Sequence, residues 1–140
     1  MTKSEQFEAL ALRCERATGP DRELDLAMWS AVTGESWRWH EAFPSQSVIT
    51  CDRYGANAAG NPIVTLDEFS ASLDAALTLV PEGMRPSVGQ NVHHGYWHAF
   101  VQSIVDSTPH QLGGAVSNTS GALALCAAAI RARAQMERGE

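Results

Sequence analysis

The sequence has no hydrophobic run long enough to cross a membrane, and its N-terminus is polar and acidic. A transmembrane helix needs about 20 mostly apolar residues in succession, and a signal peptide needs an apolar core behind a positively charged start. We therefore expect neither, and no membrane partner. Low-complexity tracts are absent too, so the 140 residues are expected to form a single domain, residues 1–140, around one core.

Cysteine is scarce and irregularly placed. The three cysteines are Cys14, Cys51 and Cys126, with no CxxC pair. An odd, widely spaced set argues against a structural zinc site, whose ligands normally come in close-spaced pairs. A reducing cytoplasm is the simplest interpretation, and we expect neither a metal nor a cofactor.

The chain also lacks concentrated positive charge. Its formal net charge is −6, and the acidic residues are scattered. Because nucleic-acid backbones are bound by clustered Lys and Arg, we expect no nucleic-acid partner. No G-x-S-x-G, H-E-x-x-H or Walker-type phosphate motif is present, so we expect a protein that is not an enzyme and has no catalytic residues.

Three segments near the two ends of the chain are predicted to be helices. The first two, Ser4–Ala17 and Asp21–Val32, show apolar residues at helical spacing. Between them Gly19 suits a left-handed helix end, and Pro20 suits the start of the next helix. The last helix is predicted from Thr119 or Ser120 to Met136, and its many alanines favour helix and close packing.

The stretch Thr65–Gly83 carries the strongest helix pattern in the chain. Its first four residues have the form of a capping box, in which Thr65 and Glu68 satisfy each other's backbone N–H groups. Apolar residues then recur at spacings of three and four and predict one buried stripe: Phe69, Leu73, Ala76, Leu77 and Val80. We therefore expect a helix over Leu66–Val80 packed on a sheet, with Leu73 in the core.

The predicted strands are short and lie in pairs close together in the sequence. They are Trp37–His40, Ser47–Cys51, Met84–Val92, Tyr96–Val105 and Leu112–Ser117. A mobile loop is expected at Asp52–Pro62 and turns at His93–Gly95 and Asp106–Gln111. Strands that are neighbours in sequence favour antiparallel pairing, so the pattern predicts an α+β fold with a small, mainly antiparallel sheet and about four helices.

Three segments resemble those of a known family and occur in the expected order. They are Ala17–Asp25 (ATGPDRELD), Phe69–Gly83 (FSASLDAALTLVPEG) and Ala122–Arg133 (ALALCAAAIRAR). Together they resemble the phage α/β/α (ABA) sandwich domain of small phage and prophage proteins. That family often has tryptophans after Pro-Glu-Gly, where this chain has Met84-Arg85-Pro86. The resemblance implies an α/β/α sandwich and a phage protein acting in the cytoplasm of a bacterial host, and it implies no activity.

Two aromatic clusters stand beside turn-rich segments. Trp37–His40 either packs in the core and its rim or forms a stacking platform. Asn91–His98 contains three histidines, so it is a polar hairpin tip with packed aromatics, a ligand surface or a metal site. The metal alternative is the weakest, because His93 and His94 point to opposite faces of a strand and no nearby carboxylate completes the ligand set.

Two arginines near these clusters, in a loop and after the Pro-Glu-Gly turn, can donate to a phosphate or carboxylate. We therefore predict a ligand-binding site among Trp37, Trp39, Arg53, Arg85, Tyr96, Trp97 and His98. The expected function is a non-catalytic phage accessory protein that binds a small nucleotide-like signal and counters host defence. The alternative is a protein–protein interaction module acting on a host or phage protein, and the sequence leaves open whether the protein is a homo-oligomer.

Overall fold

The computed structural model describes residues 2–43, 45–105 and 108–139. In chain order its elements are α1 (Lys3–Arg16), α2 (Arg22–Thr33), β1 (Arg38–Trp39), β2 (Val48–Thr50), β3 (Ile63–Thr65), α3 (Leu73–Leu77), β4 (Arg85–Gln90), β5 (Trp97–Val105), β6 (Thr108–Ser117) and α4 (Gly121–Glu137). The predicted α+β class, the antiparallel pairing and the four helices are confirmed within the described residues. The strands form two sheets rather than one: an N-terminal sheet of order β1-β2-β3 and a C-terminal sheet of order β4-β5-β6.

Helix α4 is the element on which the rest of the chain packs. Every residue from Gly121 to Ile130 is buried, because α1, α3 and all three strands of the C-terminal sheet contact this helix. Ser120 caps it by accepting a hydrogen bond from the N–H of Leu123. Its alanines allow this all-round contact, since a small side chain lets neighbouring backbones approach closely.

Helices α1 and α2 begin and end within about one residue of the predicted bounds. Thr2 caps α1, Asp21 caps α2, and Gly34 at φ 76° ends α2. The buried face of α1 is the predicted one and consists of Phe7, Leu10, Ala11 and Cys14. None of the described helices is both long and apolar enough to cross a membrane.

The third helix differs from the prediction. Helix α3 has five residues and is capped by Ser72, so the capping box predicted at Thr65 is wrong. Thr65 lies in β3, and the pairing with β2 continues through the N–H of Leu66, which donates to the carbonyl of Ser47 at 2.8 Å. The backbone that a longer helix would use is therefore already engaged in a sheet.

The segment after β3 is tied to α2 by a charged pair. Arg22 donates to the carbonyl oxygens of Leu66 at 2.7 Å and Asp67 at 2.9 Å, and the buried Asp25 accepts the N–H of Ser70 at 2.8 Å. Arg22 and Asp25 are themselves paired at 2.9 Å. These bonds hold residues 66–70 outside a helix.

The buried face of this region matches the predicted stripe only in part. Phe69, Ala76 and Leu79 are buried, whereas Leu73 is 44% exposed and Leu77 is 42% exposed. The prediction that Leu73 lies in the core is wrong, because the helix begins later and its apolar face turns accordingly.

The C-terminal sheet contains the predicted hairpin. Asn91 accepts the N–H groups of His93 and His94, and Gly95 adopts φ 75° in the turn. Strand β6 is longer than predicted, since it begins at Thr108 inside the segment expected to turn; residues 106 and 107 of that segment lie outside the described residues. Alternation along β5 gives this sheet an inner face against α4 and an outer face turned away from it.

Candidate ligand-binding groove

The outer face of the C-terminal sheet carries a row of three rings. Tyr96, His98 and Phe100 alternate in sequence with Trp97 and with the buried residues Ala99 and Val101, which face α4. The centroids of the His98 and Phe100 rings are 5.6 Å apart. Tyr96, His98 and Phe100, here called the ring row, are half-buried.

Two glycines pair with residues of the ring row, and neither has a side chain that would fill the space beside the rings. Gly89 pairs with His98, and Gly114 pairs with Phe100. The imidazole of His98 lies over Gly89, where a Cβ atom would be 2.7 Å from Cε1. A glycine in a strand permits such close approach, so the His98 ring lies close to the backbone of β4.

An open groove of about 590 Å³ lies between the ring row and β6. Its lining residues are Glu15, Tyr96, His98, Phe100, Gln111, Gly114, Ala115 and Val116. The volume lies within the roughly 300–1,000 Å³ of small-molecule sites. Mostly apolar walls with a few polar groups are also typical of such sites.

A charged pair closes the β6 edge of this groove. Glu15 accepts the N–H of Val116 at 3.0 Å, and Arg131 donates to the carbonyl of Gly114 at 3.0 Å and to Glu15 at 2.6 Å. Burial raises the pKa of Glu15, but the bonds from Arg131 and Val116 outweigh it and hold the pKa below its ordinary value. The pair covers backbone groups that an open edge strand would present to other chains.

One polar atom of the ring row has no partner. The Nδ1 atom of His98 is buried and forms no hydrogen bond with any of the described residues. Buried polar atoms are nearly always paired in folded proteins. The Nδ1 atom of His98 is therefore an unsatisfied buried atom beside the groove.

The predicted site residues do not all lie together. Tyr96 and His98 line the groove, and Arg85 lies on the same outer face, since it pairs with Gln102. Trp97 lies on the inner face against α4, where a Cβ atom on Gly121 would be 3.1 Å from the Trp97 ring.

Both tryptophans of the other cluster lie at the N-terminal sheet, and their ring nitrogens are engaged. The buried Trp37 donates to Thr33 at 2.8 Å, and the half-buried Trp39 donates to Glu23 at 2.8 Å. These bonds orient both rings within the fold and place them outside the groove.

Arg53 belongs to a separate charged cluster. Its guanidinium donates two hydrogen bonds to the carboxylate of Glu35, at 2.7 and 2.8 Å, and the thiol of Cys51 donates to the same carboxylate at 3.2 Å. The bonds from Arg53 and then Cys51 lower the pKa of Glu35 to about 2. Burial, followed by the neighbouring Glu35, raises the pKa of Cys51, so this thiol stays protonated at neutral pH, unlike an activated nucleophile.

Phe100 and Gln111 are among the groove residues that sequence reasoning missed. Phe100 follows Tyr96 and His98 at strand spacing, so strict alternation could have found it. Gln111 could not have been found, because it was expected in a turn and its orientation depends on an irregularity of β6.

Within the part of the chain that the structure describes, no group of three or more His, Cys, Asp or Glu side chains could hold a metal ion. Comparison with known proteins finds no matching family model, no matching curated protein and no matching solved structure. The function is therefore inferred from the chemistry of the groove.

Proposed function

We propose that the protein is a non-catalytic binding module that takes a small ligand with a planar ring into the groove beside the ring row. One observation carries this proposal: the three rings of the ring row line an open groove of about 590 Å³, and the centroids of two of them, His98 and Phe100, are 5.6 Å apart. Aromatic side chains that stack on a planar base contribute about 1–3 kcal/mol per base.

A nucleotide-like compound also carries a negative group, and the cation proposed to meet it lies on the same sheet face, outside the groove lining. Arg85 is exposed on the same face and takes part in none of the ion pairs among the described residues. Arg53, by contrast, is held by Glu35. A guanidinium forks onto phosphate or carboxylate oxygens, so Arg85 is the residue assigned to a negative group on the ligand.

The biological side of the proposal comes from the resemblance to phage ABA sandwich proteins. In that setting the chain is a phage or prophage accessory protein that captures a nucleotide-like signal of the host and counters host defence. A non-catalytic role is supported by the protonated state of Cys51, whose pKa is raised by burial.

A protein partner is the second candidate, and a different surface favours it. Strand β3 is exposed along its whole length, and Ile63 is 58% exposed. An edge strand can add a partner's strand through backbone hydrogen bonds. A partner captured from host lysate by the wild type, but lost with Ile63→Asp, would favour this alternative.

The ligand proposal is tested by titrating adenosine, AMP and 3′,5′-cyclic AMP calorimetrically, after a thermal-shift screen. Phe100→Ala is expected to lower the affinity for a bound compound about tenfold or more, because a stacking ring is lost. Tyr54→Ala is the control, since it removes a ring that is 66% exposed and outside the groove. Unchanged affinity in folded Phe100→Ala, or no binding by the wild type, would refute the proposal.

A further inference from the structure

Gln111 reaches the groove because strand β6 contains a β-bulge. Val101 pairs with Gly113, but the next residue, Gln102, pairs with Gln111, so Leu112 is the extra residue. In an unbroken strand Gln111 and Gly113 would share the face against α4. The bulge instead turns Gln111 to the outer face, which is how bulges re-aim side chains beside binding sites.

The position of the bulge is fixed from the inner face by Gly113. A Cβ atom there would clash with the carbonyl oxygen of Ala128 and lie 2.7 Å from the nitrogen of Ala132. Leu112 packs against the core. The strand therefore cannot slip by one residue without losing its contact with α4.

The amide of Gln111 lies over Gly114 and beside Phe100. A Cβ atom on Gly114 would be 2.6 Å from the amide nitrogen and 3.8 Å from Cδ1 of Phe100. The amide takes part in none of the side-chain hydrogen bonds among the described residues. It therefore presents a free donor and a free acceptor next to the ring on which a ligand would stack.

We propose that Gln111 is the specificity-determining residue of the groove and reads a ring edge on which a donor stands beside an acceptor. An amide pairs in this way with N6 and N7 of adenine. The proposal rests on the proposed function, because the ring must first lie beside Phe100. It narrows the ligand from any planar ring to a nucleobase-like heterocycle of adenine type.

The test compares adenosine with inosine, which presents two acceptors on the same edge. The wild type is expected to bind adenosine about 5- to 150-fold more tightly. Gln111→Leu should bind both nucleosides with nearly equal affinity. Gln102→Leu is the matched control, because it removes an amide on the same face but outside the groove lining, and it should keep the preference.

A second variant moves the amide without removing it. Gly114→Ala places a methyl group where the amide nitrogen lies, and the flexible side chain of Gln111 must shift. This folded variant should lose most of the preference for adenosine, as checked by calorimetry and circular dichroism.

Three outcomes are decisive. The role of Gln111 is overturned if the wild type binds both nucleosides equally. It is also overturned if the preference for adenosine survives in Gln111→Leu or Gly114→Ala. Either result leaves the ring-binding proposal standing. Failure of the wild type to bind either nucleoside overturns this inference and counts against the proposed function as well.

Discussion

At the scale of single residues, two neighbouring glycines of β6 meet opposite surroundings. Gly113 faces the backbone of Ala128 and Ala132, whereas Gly114 faces the movable end of the Gln111 side chain. We predict that Gly113→Ala lowers the free energy of unfolding by about 3 kcal/mol or more, because helix backbone cannot move aside. Gly114→Ala should cost less than about 1 kcal/mol. Urea denaturation of both variants checks this, and equal costs would contradict the packing of β6 on α4.

The groove shows which residues of a site a sequence can reveal. Tyr96 and His98 were predicted because aromatic residues beside a turn exceed what packing needs. Trp97 is also an aromatic residue beside the turn, yet strand alternation places it against α4, where it packs beside Gly121. Gln111 gave no signal, since its orientation depends on one extra residue in β6.

At the scale of elements, α3 shows how tertiary contacts override a local signal. A capping interaction contributes about 1 kcal/mol. The competing structure pairs β3 with β2 and adds hydrogen bonds that Arg22 donates to Leu66 and that Asp25 accepts from Ser70. Bonds to charged groups contribute about 1.5–3 kcal/mol each. The sequence shows the capping box but not the partners that residues 66–70 meet 44 or 45 positions away.

The observed start of α3 can be tested by comparing a buried with an exposed leucine of this segment. Leu79→Ala is expected to lower the free energy of unfolding by about 2–5 kcal/mol, because Leu79 is fully buried. Leu73→Ala, the matched control, should cost less than about 1 kcal/mol, since Leu73 is 44% exposed. Chemical denaturation measures both costs. A larger cost for Leu73→Ala than for Leu79→Ala would favour the longer helix predicted over Leu66–Val80.

At the scale of the whole molecule, the fold class could be predicted and the division into two sheets could not. Helices α1, α2 and α4 follow from periodicity and from end residues such as Gly34, and the hairpin follows from Gly95. Strand β3 was missed because Ile63–Thr65 is only three residues long and adjoins the misleading capping box. Without β3 the N-terminal sheet cannot be recognised as separate.

Three carboxylates connect the stability of the whole fold to pH. The pKa of Glu35 is lowered from 4.5 to about 2, chiefly by Arg53. In Glu15 burial raises the pKa, but the bonds from Arg131 and Val116 outweigh it and lower the pKa overall. Both groups stabilise the fold above their ordinary pKa values and lose that contribution as the pH falls. Asp25 acts in the opposite direction, because burial outweighs its bonds to Ser70 and Arg22 and raises its pKa overall. Ionising Asp25 therefore lowers the stability of the fold as the pH rises.

Glu35 provides the sharpest test of this linkage. We predict that Glu35→Gln has a lower urea midpoint than the wild type at pH 7, and that the difference shrinks between pH 4.5 and about 2 as Glu35 of the wild type takes up its proton. Glu82→Gln is the control, since Glu82 is exposed and outside the ion pairs of the described residues. A difference between Glu35→Gln and wild type that is the same at pH 7 and pH 2 would show that the Arg53–Glu35 pair does not contribute through its charge.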